Sequence, residues 1–195
     1  MSFYKEQLKT WLAENNMDAI NVLSVGSLND DSKYFKRFNV KNVVTLDIDP
    51  SLKPDFVADM NLDFEKHSSF ADRERLGKIG GFEHVFTFEL WEYIFDPLTA
   101  LKNCNYFLRK NGYLWISAPF IYPTHNPTDA DFLRYTEHFW NKVLPLTGFR
   151  IVDYNHRVWK EAEGYLQSVA LDGMRPAKEY KNHNLTGHLI IAQKV

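Results

Sequence analysis

Gly26 follows an apolar run, Val22-Leu23-Ser24-Val25, and Asp47 closes another, Val43-Val44-Thr45-Leu46. A glycine at a strand end lets backbone approach a ligand closely, and a carboxylate about twenty positions on can grip both hydroxyls of a ribose. The chemistry these two residues point to is recognition of a ribose-bearing cofactor. Two more apolar stretches end in acids: Phe56-Val57-Ala58 runs into Asp59, and Glu83–Phe88 stops at Glu89. In open α/β sheets, ligands bind at the carboxyl ends of the strands, where these acids fall. A second group follows in Tyr122–Tyr135, YPTHNPTDADFLRY. Its one histidine, His125, is the side chain there suited to take a proton near neutral pH, or it is a solvated loop residue.

These residues need a scaffold, and the apolar periodicity supplies one. Phe3, Tyr4, Leu8, Trp11 and Leu12 share one side at helical spacing, which predicts an amphipathic helix lying across a sheet. A strand from about Asn21 turns at Gly26; Asp30, Asp31 and Ser32 cap a short helix; a second strand ends at Asp47. Lys66–Lys78 reads equally as a solvated helix or a loop. After Gly80-Gly81 come a fourth strand, a helix with Leu98, Leu101, Cys104, Phe107 and Leu108 on one stripe, a stop at Asn111-Gly112, and a fifth strand over Tyr113–Ser117. Cys104 on that stripe reads as inert core. Strands alternating with helices imply right-handed crossovers and a parallel sheet. Two late runs, Phe149–Val158 and His188–Gln193, predict a strand pair at one sheet edge, with an insertion over about 159–185 as a lid or surface element.

Composition narrows the function. A chain of 195 residues, 45% hydrophobic and 15% aromatic, suits one domain with a substantial core. A net charge of −2, with the basic residues scattered, argues against a nucleic-acid partner. One cysteine excludes an internal disulfide and fits a reducing compartment. The absence of a signal-peptide pattern or a membrane-spanning run leads us to expect a cytoplasmic protein. No His/Cys spacing supports a metal site.

From Asn21 to Arg157 the sequence resembles the class I S-adenosylmethionine-dependent methyltransferases, in their small-molecule branch. The resemblance rests on five ordered stretches: Ser24-Val25-Gly26-Ser27-Leu28-Asn29-Asp30, Leu46-Asp47-Ile48-Asp49, Val57-Ala58-Asp59-Met60, Glu89-Leu90-Trp91-Glu92-Tyr93-Ile94-Phe95-Asp96-Pro97 and Leu108-Arg109-Lys110-Asn111-Gly112. Pro119–His125 and Asp131–Thr136 resemble a loop of members tied to polysaccharide and other glycan pathways. The resemblance implies an α/β, Rossmann-like, doubly wound and mostly parallel seven-stranded sheet with an antiparallel edge strand. It implies S-adenosylmethionine as cofactor, and transfer to a small-molecule or glycan-precursor acceptor, with oxygen preferred.

Carried onto this chain, the resemblance places the cofactor against Val25, Gly26 and Ser27, against Asp47 and Ile48, against Asp59 and the Met60 backbone, and over Phe88 and Glu89. Each has a plain alternative: Gly26 as a turn, Asp47 as a cap before Pro50 with Asp49 the ligand, Asp59 as a turn residue, Glu89 and Glu92 as acids opening the next helix. The acceptor falls to Tyr122, Asp129, Arg134 and Tyr135, with His125 as base. Arg134 could instead pair with a neighbouring aspartate, and the aromatics could be core. Ser24 stands where the family has an acid, Leu28 and Asp30 where it has glycines, and Tyr93 where histidine is common. These departures motivate a second reading, a protein of the same fold that has lost turnover and serves as a binding or structural partner.

Overall fold

The structure, a computed structural model, describes residues 3–15, 18–26, 39–120, 122, 124, 129–158 and 185–195. The elements are α1 (Phe3–Glu14), β1 (Asp18–Val25), β2 (Asn39–Asp47), β3 (Phe56–Val57), α2 (Phe64–His67), α3 (Phe70–Ile79), β4 (Phe82–Phe88), α4 (Pro97–Phe107), β5 (Leu108–Pro119), α5 (Glu137–Leu146), β6 (Phe149–Val158) and β7 (Leu185–Lys194), with 3₁₀ turns at Pro50–Leu52 and Trp91–Tyr93. Helix starts follow local chemistry: Asp63, Ser69, Asp96 and Thr136 each accept a backbone N–H in the first turn of the helix they precede.

The strands form one seven-stranded sheet in the order β3-β2-β1-β4-β5-β7-β6. Neighbours from β3 to β5 pair in parallel, and β7 runs antiparallel to both β5 and β6. The central strands are buried on both faces. On one, Leu8, Trp11 and Leu12 of α1 meet Phe86, Phe88, Trp115, Leu189 and Ile191; on the other, Leu23, Val25, Leu101, Phe107, Trp91 and Trp140 pack together. Burying each of these large side chains contributes about 1.5–3 kcal/mol, which overrides weak local propensity. Trp11 Nε1 also donates to Asp153 Oδ2 at 2.9 Å, pinning α1 to β6. Chain order reverses between β1 and β4, so the carboxyl ends of those two strands mark the switch point where ligands of such sheets sit.

Several expected boundaries move. The first strand starts at Asp18 rather than Asn21, and Lys66–Lys78 covers the end of α2, a break at Ser68-Ser69 and most of α3, which Ser69 caps and Gly80, at φ 74°, ends. The helix over 98–108 stops at Phe107, and Asn111-Gly112 falls inside β5. There Leu108 pairs with Phe82, the ladder shifts register, and pairing resumes at Tyr113 with His84; Asn111 takes φ 63°. Helix α5 was not anticipated, because its apolar residues Phe139, Trp140, Val143 and Leu144 follow a loop rich in polar residues and its interior holds Pro145. The expected late strand pair is present at the β6 edge, with β7 the inner strand. The expected short helix after Asp30, Asp31 and Ser32 and the 159–184 part of the insertion lie outside the described residues.

Candidate functional site

At the carboxyl edge of the sheet, Gly26 leaves β1 with φ +76° and donates its N–H to the Leu46 carbonyl at 2.9 Å. A Cβ there would lie 2.7 Å from Leu90 Cδ1, so the end of β1 and the turn after β4 touch across the missing side chain. Val25 beside it is buried at 1% exposure. Asp47 ends β2, 9% exposed; its Oδ1 accepts the Asp49 N–H at 2.9 Å and its carbonyl accepts Ala58 N–H at 3.0 Å, joining β2 to the chain after β3. Asp49 is an exposed turn residue whose carboxylate caps Ser51 N–H, which holds its carboxyl below the usual range. Between the two acids of the sequence alternative, Asp47 is therefore the one at the sheet.

Next to Asp47 lies a hollow of about 210 Å³ lined by Ile48, Val57, Ala58, Asp59, Leu62, Phe64, His67 and Ser68. Ile48 is 62% exposed, Val57 52% and Leu62 44%. Three neighbouring apolar side chains turned outward beside a carboxylate suit a flat, apolar-faced ring carrying a polar edge. Asp59 lines the hollow while its Oδ1 takes both the backbone N–H and the Nδ2–H of Asn61, at 2.8 and 3.0 Å, so its turn role is realised here. The Met60 side chain is core, and its carbonyl accepts from Asn103 Nδ2 at 3.2 Å. Phe88 is buried against Phe86 on the α1 face.

Glu89, just past β4, adopts φ 51°, a strained conformation for a side-chain-bearing residue, and donates its N–H to the Ser117 carbonyl at 2.9 Å. Its carboxylate pairs with Arg157, one contact from Nη1 to Oε2 at 3.0 Å and a second from Nη2 to Oε1, and accepts from the Ser117 hydroxyl. Arg157, 1% exposed, reaches from β6 across β7. It crosses at Gly187, where a Cβ would sit 3.0 Å from Arg157 Cδ and 2.6 Å from the Ala118 carbonyl. Three residues on from Glu89, Glu92 is 3% exposed in the Trp91–Tyr93 turn, far too buried to serve as a solvated acid opening a helix.

On the expected acceptor side, Tyr122 is exposed, as is Asp129. Arg134 grips Asp131 with both terminal nitrogens, Nη2 to Oδ2 at 2.7 Å, so the neighbouring-aspartate alternative holds for it in this structure. Tyr135 corrects its assignment as an acceptor-binding residue. It is 4% exposed, packs against Trp91 and Trp140, and donates its hydroxyl to the Ile94 carbonyl at 2.8 Å, because burying a phenol requires a partner for its O–H. Its own carbonyl receives His188 Nε2 at 2.8 Å, which fixes that ring's other nitrogen, Nδ1, as acceptor from the Tyr154 hydroxyl. Ser27 and His125 lie outside the described residues.

Arg157, Ser117 and Gly187 escaped sequence reading. Arg157 looked like one more strand residue, and nothing local says that it meets Glu89. The available signal was a glycine inside an apolar strand, Leu185–Lys194, which marks a close approach of another group. Among the described residues no cluster of three or more His, Cys, Asp or Glu could hold a metal ion, and no helix is long and apolar enough to cross a membrane.

No family model matches the chain, and no curated protein matches it. Solved structures do. A S-adenosylmethionine-dependent methyltransferase from Archaeoglobus fulgidus superposes with TM-score 0.60 at 16% identity, covering 97% of this chain and 94% of its own. The Burkholderia thailandensis 1,6-didemethyltoxoflavin-N1-methyltransferase, solved with bound 1,6-didemethyltoxoflavin and S-adenosylhomocysteine, gives 0.60 at 14% identity over 99% and 79%. The [4+2]-cyclase SpnF gives 0.60 at 14% over 97% and 80%. The fold is that of the class I methyltransferases, a Rossmann-like α/β sheet, and the cyclase illustrates that this fold alone does not fix the reaction.

Proposed function

We propose that this chain is a S-adenosylmethionine-dependent methyltransferase acting on a small-molecule or glycan-precursor acceptor, at oxygen. The observation that carries the reading is the placement of Gly26, Asp47 and the Ile48–Val57–Leu62 hollow side by side along the edge where β1 and β2 end. Asp47 is the acceptor for the ribose hydroxyls, and its Oδ1 is already aimed by the Asp49 N–H. Ile48, Val57 and Leu62 offer apolar contact for the adenine. Gly26, its bare backbone packed against Leu90 at the end of β1, borders the methionine portion. The bound cofactor would supply a methyl group already activated by its sulfonium, leaving the protein chiefly to orient the acceptor and receive its proton. Tyr122, Asp129 and His125 belong to the segment that would meet the acceptor, His125 being the proposed base. The neighbour with bound S-adenosylhomocysteine supports the cofactor.

Calorimetric titration with S-adenosylmethionine and S-adenosylhomocysteine tests this. Saturable binding of both, weakened in Asp47→Ala, is the expected result; absence of binding heat at millimolar ligand rejects it and favours the non-catalytic reading.

A further inference from the structure

A second hollow, of about 400 Å³, lies between α1 and the β6–β7 pair, at the other end of the sheet from the cofactor hollow beside β3. Strands in a sheet are spaced about 4.8 Å apart, and five others stand between β3 and β6, so the two hollows are separate. A space of this size takes a small molecule. Gln7, Thr10 and Glu14 recur at helical spacing, so one face of α1 forms the wall, and Asn155 of β6 adds to it. The polar groups of that wall share one orientation. Gln7 Nε2 donates to the Val158 carbonyl at 2.6 Å, the Thr10 hydroxyl to the Glu6 carbonyl at 3.0 Å, and Trp11 Nε1 and Asn155 Nδ2 both to Asp153 Oδ2, at 2.9 and 2.8 Å. With those donors turned into the protein, the wall presents acceptors. They are the Thr10 and Asn155 oxygens and the carboxylates of Glu6 and Glu14, while Gln7 Oε1 has no hydrogen-bond partner among the described residues.

A wall of acceptors asks for a cation rich in N–H groups. The basic side chains beside it do not fill that place: Lys9 lies along α1 against Glu6 at 2.8 Å, and His156 turns to Glu137 at 3.3 Å. Among the described residues no three His, Cys, Asp or Glu side chains are grouped to hold a metal ion, so the cation that fits is an organic one. Its length is set by the helix. Glu6 and Glu14 are separated by about 12 Å of rise along α1. We propose that this hollow is a binding site for a linear polyamine the length of spermidine. One terminal ammonium meets Glu6 and the other Glu14, and the chain between them lies past Thr10 and Asn155 with its methylenes toward Trp11 and Leu189, the buried apolar part of the lining. This site is independent of the cofactor reading.

Calorimetric titration of the whole chain with spermidine, in the absence of cofactor, tests this. Saturable binding below millimolar is expected, with Glu6→Gln and Glu14→Gln each weakening it about fivefold. Both glutamates are exposed, so these variants should keep the parent's urea midpoint. Two further probes separate length from charge. The terminal diamine of octane, which spans both carboxylates, should bind more tightly than that of butane, which carries the same charge and reaches only one. Glu74→Gln, on α3 and outside the hollow, and Asp47→Ala should bind spermidine as the parent does. Equal affinity for the two diamines, an equal loss in Glu74→Gln, unchanged affinity in Glu6→Gln and Glu14→Gln, or no saturation up to millimolar spermidine each overturn the proposal. None of these results bears on the cofactor reading, which stands or falls on S-adenosylhomocysteine binding.

Discussion

A carboxylate at a strand end can serve a diol only if its direction is set, and the turn after β2 sets that of Asp47 by donating the Asp49 N–H to Oδ1. Hydrogen bonds to a charged acceptor are each worth about 1.5–3 kcal/mol when the partner is desolvated. Asp47→Ala should therefore raise the dissociation constant of S-adenosylhomocysteine by about tenfold to several hundredfold, in the same titration. At this scale the sequence was informative where a residue acts through its own place in the chain. Asp47 and Gly26 were legible because each ends an apolar run, and Asp59 because its alternative use as a turn residue is equally local. Glu92 and Arg157 were not, since their roles come from burial and from contacts between turn, loop and distant strand. Tyr135 misled for the opposite reason: an aromatic in a polar loop looks like a stacking surface, but this one carries its hydroxyl inward to Ile94.

Strand β7 does two jobs. It pairs antiparallel with both β5 and β6, and at Gly187 it thins to bare backbone so that the Arg157 stem can pass to Glu89 and Ser117. The close neighbour of a Cβ at that point is the Ala118 carbonyl, a backbone atom that cannot swing aside. Gly187→Ala should accordingly destabilise the fold by about 1–3 kcal/mol through overpacking, seen as a lower urea midpoint. A Gly77→Ala control, at a helical glycine with open space around it, should not lower the midpoint. Element types were readable from periodicity wherever an element crosses the core. The sequence failed at β5, whose register shift around Asn111 depends on pairing with Phe82 and His84, and at α5, whose interior Pro145 argues locally against a helix.

Among the described residues, three buried groups with large shifts, His84, Glu92 and His188, shape how stability varies between about pH 4 and 8. Burial lowers His84 to about 4, its Nδ1 accepting from Trp115 Nε1, and lowers His188 to about 4 as well. Both histidines are depressed, so the unfolded chain binds their protons more tightly and stability falls as pH drops from about 6.5 to about 4. Glu92 is raised, so its contribution is complete below about 4.5 and is lost as pH climbs through about 8. Between about 4.5 and 6.5 the two histidines outweigh the one acid; above that Glu92 is the one of the three still titrating. Urea midpoints should peak near pH 6.5 and decline toward pH 8, while Glu92→Gln should stay level over that upper range. A decline of the same size in both proteins would remove Glu92 as its cause.

The claim on which the rest depends is that the adenosine of the cofactor lies along the carboxyl ends of β1, β2 and β3. Methyl NMR of protein labelled at isoleucine, leucine and valine, titrated with S-adenosylhomocysteine, reads this directly. The account predicts saturable ring-current shifts at Ile48, Val57 and Leu62, with Leu146, exposed on α5, unmoved. Saturation that leaves those three methyl groups unchanged, or no response up to millimolar ligand, would contradict it.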